Sequence, residues 1–181
     1  MKKYIILLLV IIAGTGVFAS DYNVYKMNHG QTLIVKQVKS NPIVIIDTWI
    51  KTGSINENDK NTGVSHFLEH LFFKGTEKNP VGTFDRILES KGAVTNAATS
   101  KDFTHYYIKL PSKDFDLALN LHADMLLNPA IPQAEMDRER KVVLEEIAKD
   151  KNSPSDVVYD NLNELLFKVH PYKRQVIGTS E

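Results

Sequence analysis

Hydrophobic and polar positions alternate with a strand period early in the chain and mostly with a helical period later. Asn23 to Met27 and Gln31 to Val38 read as two strands joined at Asn28-His29-Gly30, a hairpin turn signal. Ile43 to Ile50 reads as a third strand, entered from Pro42. From Gly63 to Lys74, the apolar residues Val64, Phe67, Leu68, Leu71 and Phe72 recur at i, i+3, i+4 and i+7, the stripe of an amphipathic helix. Asn61 or Thr62 is placed to cap its start, and Gly75 to end it in a left-handed conformation. Gly82 to Lys91 reads as a short helix ended by Gly92, and Val94 to Thr99 and Phe103 to Leu110 as strands. Lys113 to Leu127 is an amphipathic helix stopped by Asn128-Pro129; two further helices follow, Gln133 to Lys149 and Pro154 to Lys168. Strands first and helices later predict an α+β domain, its helices packed on one face of a mostly antiparallel sheet. Neither repeats nor low-complexity segments interrupt the stretch from Ser20 to Glu181, which reads as one domain.

Composition mainly excludes. With 22 basic and 22 acidic residues, no charge imbalance points to nucleic acid or to a strongly acidic partner. A hydrophobic share of 43% suffices for one globular core at this length. Cysteine is absent, which removes disulfides, a thiol nucleophile and cysteine-bound metal, and no G-x-S-x-G marks a serine nucleophile. At the N-terminus, Lys2 and Lys3 precede an apolar run, and Val17-Phe18-Ala19 offers small residues for signal peptidase. Residues 1–19 are therefore expected to be a signal peptide cleaved after Ala19, with export by a bacterium to the periplasm. The uncharged run from Tyr4 to Ser20, 17 residues, is at the short edge of a membrane span, so membrane attachment is expected only if the segment is retained.

The candidate chemistry sits in His66-Phe67-Leu68-Glu69-His70, which reads H-x-x-E-H. Residues four apart lie one above the other on a helix, so His66 and His70 are spaced to share one metal ion. His66, Glu69 and His70 project away from the apolar stripe. Neutral imidazoles suit zinc, and a carboxylate that is not itself a ligand can take a proton from an activated water. The order is the inverse of H-E-x-x-H and marks the inverzincins. The bland alternative is an amphipathic helix whose two histidines and glutamate only face water.

A second carboxylate-bearing helix weighs against that alternative. In Gln133 to Lys149, Glu139 and Glu146 are seven apart and share a face with Met136, Val142 and Val143, while Asp137, Lys141 and Glu145 point away. A carboxylate on an apolar stripe is costly unless paired or bound to metal. Glu146 is thus a candidate third zinc ligand and Glu139 a candidate partner orienting a ligand histidine; phase alone leaves open which of the two binds metal.

Longer motifs resemble the pitrilysin family of zinc proteases. Gly53-x9-Gly63 running on through His66-Phe67-Leu68-Glu69-His70 to Lys74-Gly75-Thr76 looks like that family's zinc-site motif. Glu139 to Glu146 resembles its second motif, and Glu146 follows His70 by 76 positions. Asn96-Ala97-Ala98-Thr99-Ser100 with Phe103 to Tyr107 is similar to its substrate-pairing strand; His170-Pro171-Tyr172 and Ile177-Gly178-Thr179 are also familial. The resemblance implies a pitrilysin-type N-terminal domain with one zinc ion held by His66, His70 and Glu146. It implies Glu69 as general base and Glu139 as support behind the ligands. Asn96 and Ala98 would hold peptide as an added strand on a sheet edge. Hydrolysis of peptides or unfolded segments is the implied activity. Family members pair two such domains or two subunits, so the chain is expected to be a truncated first domain requiring a second homologous domain or subunit. The rival expectation is a non-catalytic subunit or assembly module on the same fold.

Overall fold

The computed structural model describes residues 21–180, in two compact units that divide after Asn41. The expected signal peptide, and the alternative of a retained anchor, lie outside the described residues. Among the described residues, no helix is long and apolar enough to cross a membrane.

The first unit carries the expected hairpin. β1 (Asn23–Lys26) pairs antiparallel with β2 (Thr32–Val35), and the turn closes through the Gly30 amide donating to the Met27 carbonyl at 3.1 Å. Gly30 has φ 89°, the left-handed backbone that the Asn28-His29-Gly30 turn signal anticipates. β2 stops at Val35, three residues short of the strand that the sequence predicts.

The second unit is built on a three-stranded antiparallel sheet in the order β3 (Ile43–Ile50), β5 (Thr104–Pro111), β4 (Val94–Thr99). β5 is central because its alternate residues Tyr106, Ile108 and Leu110 are apolar and fully covered on one face. They form the core with Phe84 and Leu88 of α2 (Thr83–Ser90) and Ala118, Leu121 and Met125 of α3 (Phe115–Leu127). Burying each large apolar side chain contributes roughly 1.5–3 kcal/mol. The other face presents Ile45, Asp47 and Trp49. Helices on one face of an antiparallel sheet is the expected α+β architecture.

Two helices frame the candidate site. α1 (Val64–Phe72) packs against β4, β5 and α4 (Gln133–Lys151), and α4 is followed by α5 (Pro154–Leu166). Two sequence expectations need correction here. Neither Asn61 nor Thr62 caps α1: its N-cap is Gly63 at φ 83°, and the Glu57 carboxylate accepts the Gly63 and Ser65 amides instead. A buried side chain from outside the helix reaches those amides where the neighbouring polar residues do not. On α4, Val142 is exposed rather than turned inward. The buried strip there is Glu135, Glu139, Val143 and Ile147, a strict four-residue repeat that leaves Val142 on its flank.

Candidate metal centre

α1 and α4 face each other with their polar residues inward, and that juxtaposition builds the site. From α1 come His66 and His70, one helical turn apart, with ring centroids 4.8 Å from each other. From α4 comes Glu146, whose Oε2 lies 3.8 Å from His66 Nε2 and 3.5 Å from His70 Nε2. One donor atom from each of His66, His70 and Glu146 lies within 4.8 Å of the other two. Glu145 is exposed and points away.

The surroundings set the state of these donors. His70 Nδ1 is 3.1 Å from Glu139 Oε2, and Lys74 Nζ is 2.8 Å from the other Glu139 oxygen. Burial pushes the Glu139 carboxyl up, but the hydrogen bonds from Lys74 and His70 outweigh it and hold the group below its ordinary range. An anionic Glu139 is an acceptor suited to a His70 Nδ1–H, and the ring held in this way turns Nε2 toward Glu146. The His66 imidazole is pushed below its ordinary value chiefly by burial and next by the neighbouring His70, against the opposing pull of Glu69, Glu146 and Asp150. Two imidazole nitrogens and one carboxylate oxygen match the protein ligands of a catalytic zinc site in donor type and number.

Glu69 lies on the same helix, and the Thr99 hydroxyl at the end of β4 donates to its Oε2. The Tyr106 phenol is pushed well above its ordinary value by burial and then by the Glu69 charge, so it stays protonated.

β4 is an edge strand of its sheet among the described residues. The Ser100 amide donates to the Phe103 carbonyl at 2.7 Å, so in the antiparallel register Ala98 and Asn96 also form the hydrogen-bonded pairs with β5. Thr95, Ala97 and Thr99 therefore turn their amide and carbonyl groups to the open edge. Consistent with this, the Ala97 amide is taken up by the Asn96 side chain at 2.9 Å. Asn96 and Ala98 thus lie on the expected strand, but its outward backbone groups belong to their neighbours. Side-chain alternation is visible in a sequence, whereas the direction of each amide depends on the pairing partner.

Lys74, Thr99 and Glu57 were not singled out from the sequence. Lys74 is four residues beyond His70, a spacing that places it one turn along the same face. Thr99 and Glu57 carry no such local signal, because only tertiary packing brings them to α1. His105 and His122 make contacts of their own instead. His122 is buried with Nε2 2.8 Å from Thr48 Oγ1, and His105 Nδ1 is 3.0 Å from Asp47.

Known proteins agree with this architecture. Residues 32–180 match the family described as Insulinase (Peptidase family M16). Subunit 1 of the mitochondrial cytochrome b-c1 complex from Bos taurus is 34% identical over 176 residues, covering 94% of this chain and 36% of that one. The uncharacterized zinc protease YmxG of Bacillus subtilis (strain 168) is 35% identical over 161 residues, covering 87% of this chain and 38% of that protein. The chain therefore spans little more than a third of the length of these curated relatives. A crystal structure of a protease from Helicobacter pylori superposes with a TM-score of 0.83 at 32% identity, over 88% of this chain and 39% of that one. A peptidase M16 inactive domain from Pseudomonas fluorescens shares the fold, with a TM-score of 0.81 at 19% identity over 87% of this chain and 39% of that one. By the match over residues 32–180, the chain belongs to the insulinase family, peptidase family M16.

Proposed function

We propose that this chain is the metal-binding part of a zinc metalloendopeptidase that hydrolyses peptides or unfolded segments. The observation that carries the reading is the meeting of His66, His70 and Glu146 from two helices, with Glu69 beside them on α1. The three would hold one zinc ion through the two Nε2 atoms and a Glu146 oxygen. A zinc ion bound there supplies a Lewis acid that polarises a carbonyl and makes water a nucleophile near neutral pH.

The protein's own groups account for the rest. Glu69 takes the proton of the attacking water and returns it to the leaving amine. Thr99, by donating to one Glu69 oxygen, fixes the carboxylate and leaves the other oxygen for proton transfer. Tyr106 stays neutral in the field of that carboxylate. Glu139, held by Lys74, keeps the His70 ring in one tautomer. An extended peptide fits the open edge of β4, where Ala97 lies between Asn96 and Ala98. Main-chain pairing there tolerates many side-chain sequences.

The family relation supports this reading, and so does YmxG, which is named as a zinc protease. We further propose a second homologous domain or subunit; one relative is itself named as a subunit of a complex. Export to the periplasm is proposed from Lys2, Lys3 and Val17-Phe18-Ala19 alone. A second reading, a non-catalytic subunit on the same fold, draws on that relative, which is named for the cytochrome b-c1 complex rather than as a protease. Zinc content and cleavage of an unfolded reporter peptide, measured on the full chain and on its Glu69→Gln variant, separate the two. The catalytic reading expects zinc in both and cleavage only in the parent. Equal cleavage by both removes Glu69 as the base. Zinc without cleavage, even when the homologous partner is supplied, favours the non-catalytic subunit.

A further inference from the structure

The two histidines of α1 are held in different ways. The His70 ring is gripped through Nδ1 by Glu139, itself tied to Lys74. Among the described residues the His66 ring has no such partner: its Nδ1 is buried without a hydrogen bond. His66 is the third residue of α1, so the backbone of the first helical turn determines where its ring lies. That turn receives no hydrogen bond from a side chain of its N-cap residue, which is Gly63. Glu57, only 6% exposed, spans it: Oε2 accepts the Gly63 amide at 2.8 Å and Oε1 accepts the Ser65 amide at 2.8 Å. Both carboxylate oxygens are thus committed to the residues immediately before His66. A negative group is also favoured at a helix N-terminus.

Glu57 is itself fixed by the segment that follows α5. The Arg174 guanidinium donates to the Glu57 main-chain oxygen at 3.0 Å and to Asp59 Oδ1 at 2.9 Å. Lys101 Nζ donates to the carbonyls of Tyr172 at 2.6 Å and Arg174 at 3.1 Å, tying that segment to the loop after β4. Gly178 then presses against Gly63: a Cβ at Gly63 would lie 2.5 Å from the Ile177 carbonyl oxygen, and one at Gly178 2.7 Å from that of Thr62. The backbone around Glu57 and the start of α1 is therefore braced from both sides.

We propose that Glu57 is a positioning residue of the metal centre, fixing His66 through the helix backbone as Glu139 fixes His70 through its side chain. This role rests on the zinc reading given above. It differs from simple capping, which would raise stability without touching metal affinity beyond what any loss of stability does.

The experiment measures zinc dissociation constants on the full chain by competition with a chromophoric chelator, with folding followed by circular dichroism and urea midpoints. Glu57→Gln is isosteric; its amide can accept one of the two N–H groups but sets its own NH2 against the other. It should weaken zinc about tenfold, the lower end for loss of a ligand-orienting partner. It should also speed hydrogen exchange at the Gly63 and Ser65 amides. A core variant with the same loss of urea midpoint, Leu110→Val or Leu110→Ala, should leave the zinc constant unchanged. Arg174→Met keeps the carboxylate but loosens its backbone, so it should weaken zinc in the same direction and by less. The proposal is overturned if Glu57→Gln binds zinc like the parent, or if the matched core variant loses as much affinity. Should Glu57→Gln not fold, Arg174→Met against its own matched core variant decides by the same criteria. A parent chain that takes up no zinc overturns the reading of the centre itself, and this role with it.

Discussion

The two ends of α1 solve one problem by different physics. At the C-terminal end, side chains do the holding: Lys74, Glu139 and the His70 ring form a charged hydrogen-bonded relay at 2.8 and 3.1 Å. At the N-terminal end the backbone is held, by Glu57 on two amides and by the close approach of Gly178 to Gly63. The first arrangement fixes a ring and its tautomer. The second fixes a turn, and the ring on it follows. A site assembled from two histidines one turn apart thus has one ring set chemically and one set geometrically, which predicts that the two ends fail differently.

The largest effect belongs to Glu69, the proposed proton carrier. Glu69→Gln should lower cleavage of an unfolded peptide by a factor of about 10²–10⁴, the usual contribution of a general base, while zinc content stays that of the parent. Next comes the residue that both histidines face. Glu146→Ala should abolish stoichiometric zinc uptake, measured by elemental analysis after gel filtration, whereas Glu145→Ala should bind as the parent does. The reverse result would exchange the two glutamates. At the side-chain-held end, Glu139→Gln should weaken zinc by about 10–100-fold, because the replacement removes the anionic acceptor of the His70 Nδ1–H. Lys74→Met should do less, since Glu139 and His70 still meet without it, and the same chelator competition ranks the two. If Lys74→Met proves as severe as Glu139→Gln, the cation is setting the state of the carboxylate and the relay is stronger than its geometry suggests.

The smallest effect tests a histidine away from the centre. His122 is buried on α3, its Nδ1 lacks a partner among the described residues, and burial lowers its pKa despite the opposing charge of Asp47. A histidine whose folded pKa is depressed contributes stability that is present above its unfolded value of about 6.5 and lost as pH falls through its folded value. Urea midpoints should therefore decline below about pH 6.5, and less steeply in His122→Gln. An unchanged slope in that variant would assign the acid sensitivity to other groups.

Most of the fold was legible because periodicity reports burial. β3 and β5 alternate, α1 and α3 carry apolar stripes, and the structure forms these elements close to the expected bounds. The H-x-x-E-H spacing on α1 was legible for the same reason: neighbours four apart on one helix meet whatever surrounds them. On α4, phase placed Glu139 and Glu146 on one side and left Glu145 outside. It misplaced Val142, because the strip that packs is narrower than the half-helix that phase delimits. The capping expectation missed for a different reason. Asn61 and Thr62 are chemically able caps, but Glu57 arrives from six residues before Gly63 and takes the amides first. The register between β4 and β5 decided that Ala97, and not Asn96 or Ala98, turns its backbone to the open edge.

By itself the sequence determined which residues share a helical face, which strands alternate and which chemical types are available, since these follow from local geometry along the chain. Tertiary structure alone decided that Glu139 grips His70 while Glu146 stands between both histidines. It also decided that Thr99 meets Glu69, and that Glu57 holds the turn carrying His66. Each of those contacts joins groups on separate elements, and its geometry is set by how helices and strands pack, information that no local period contains.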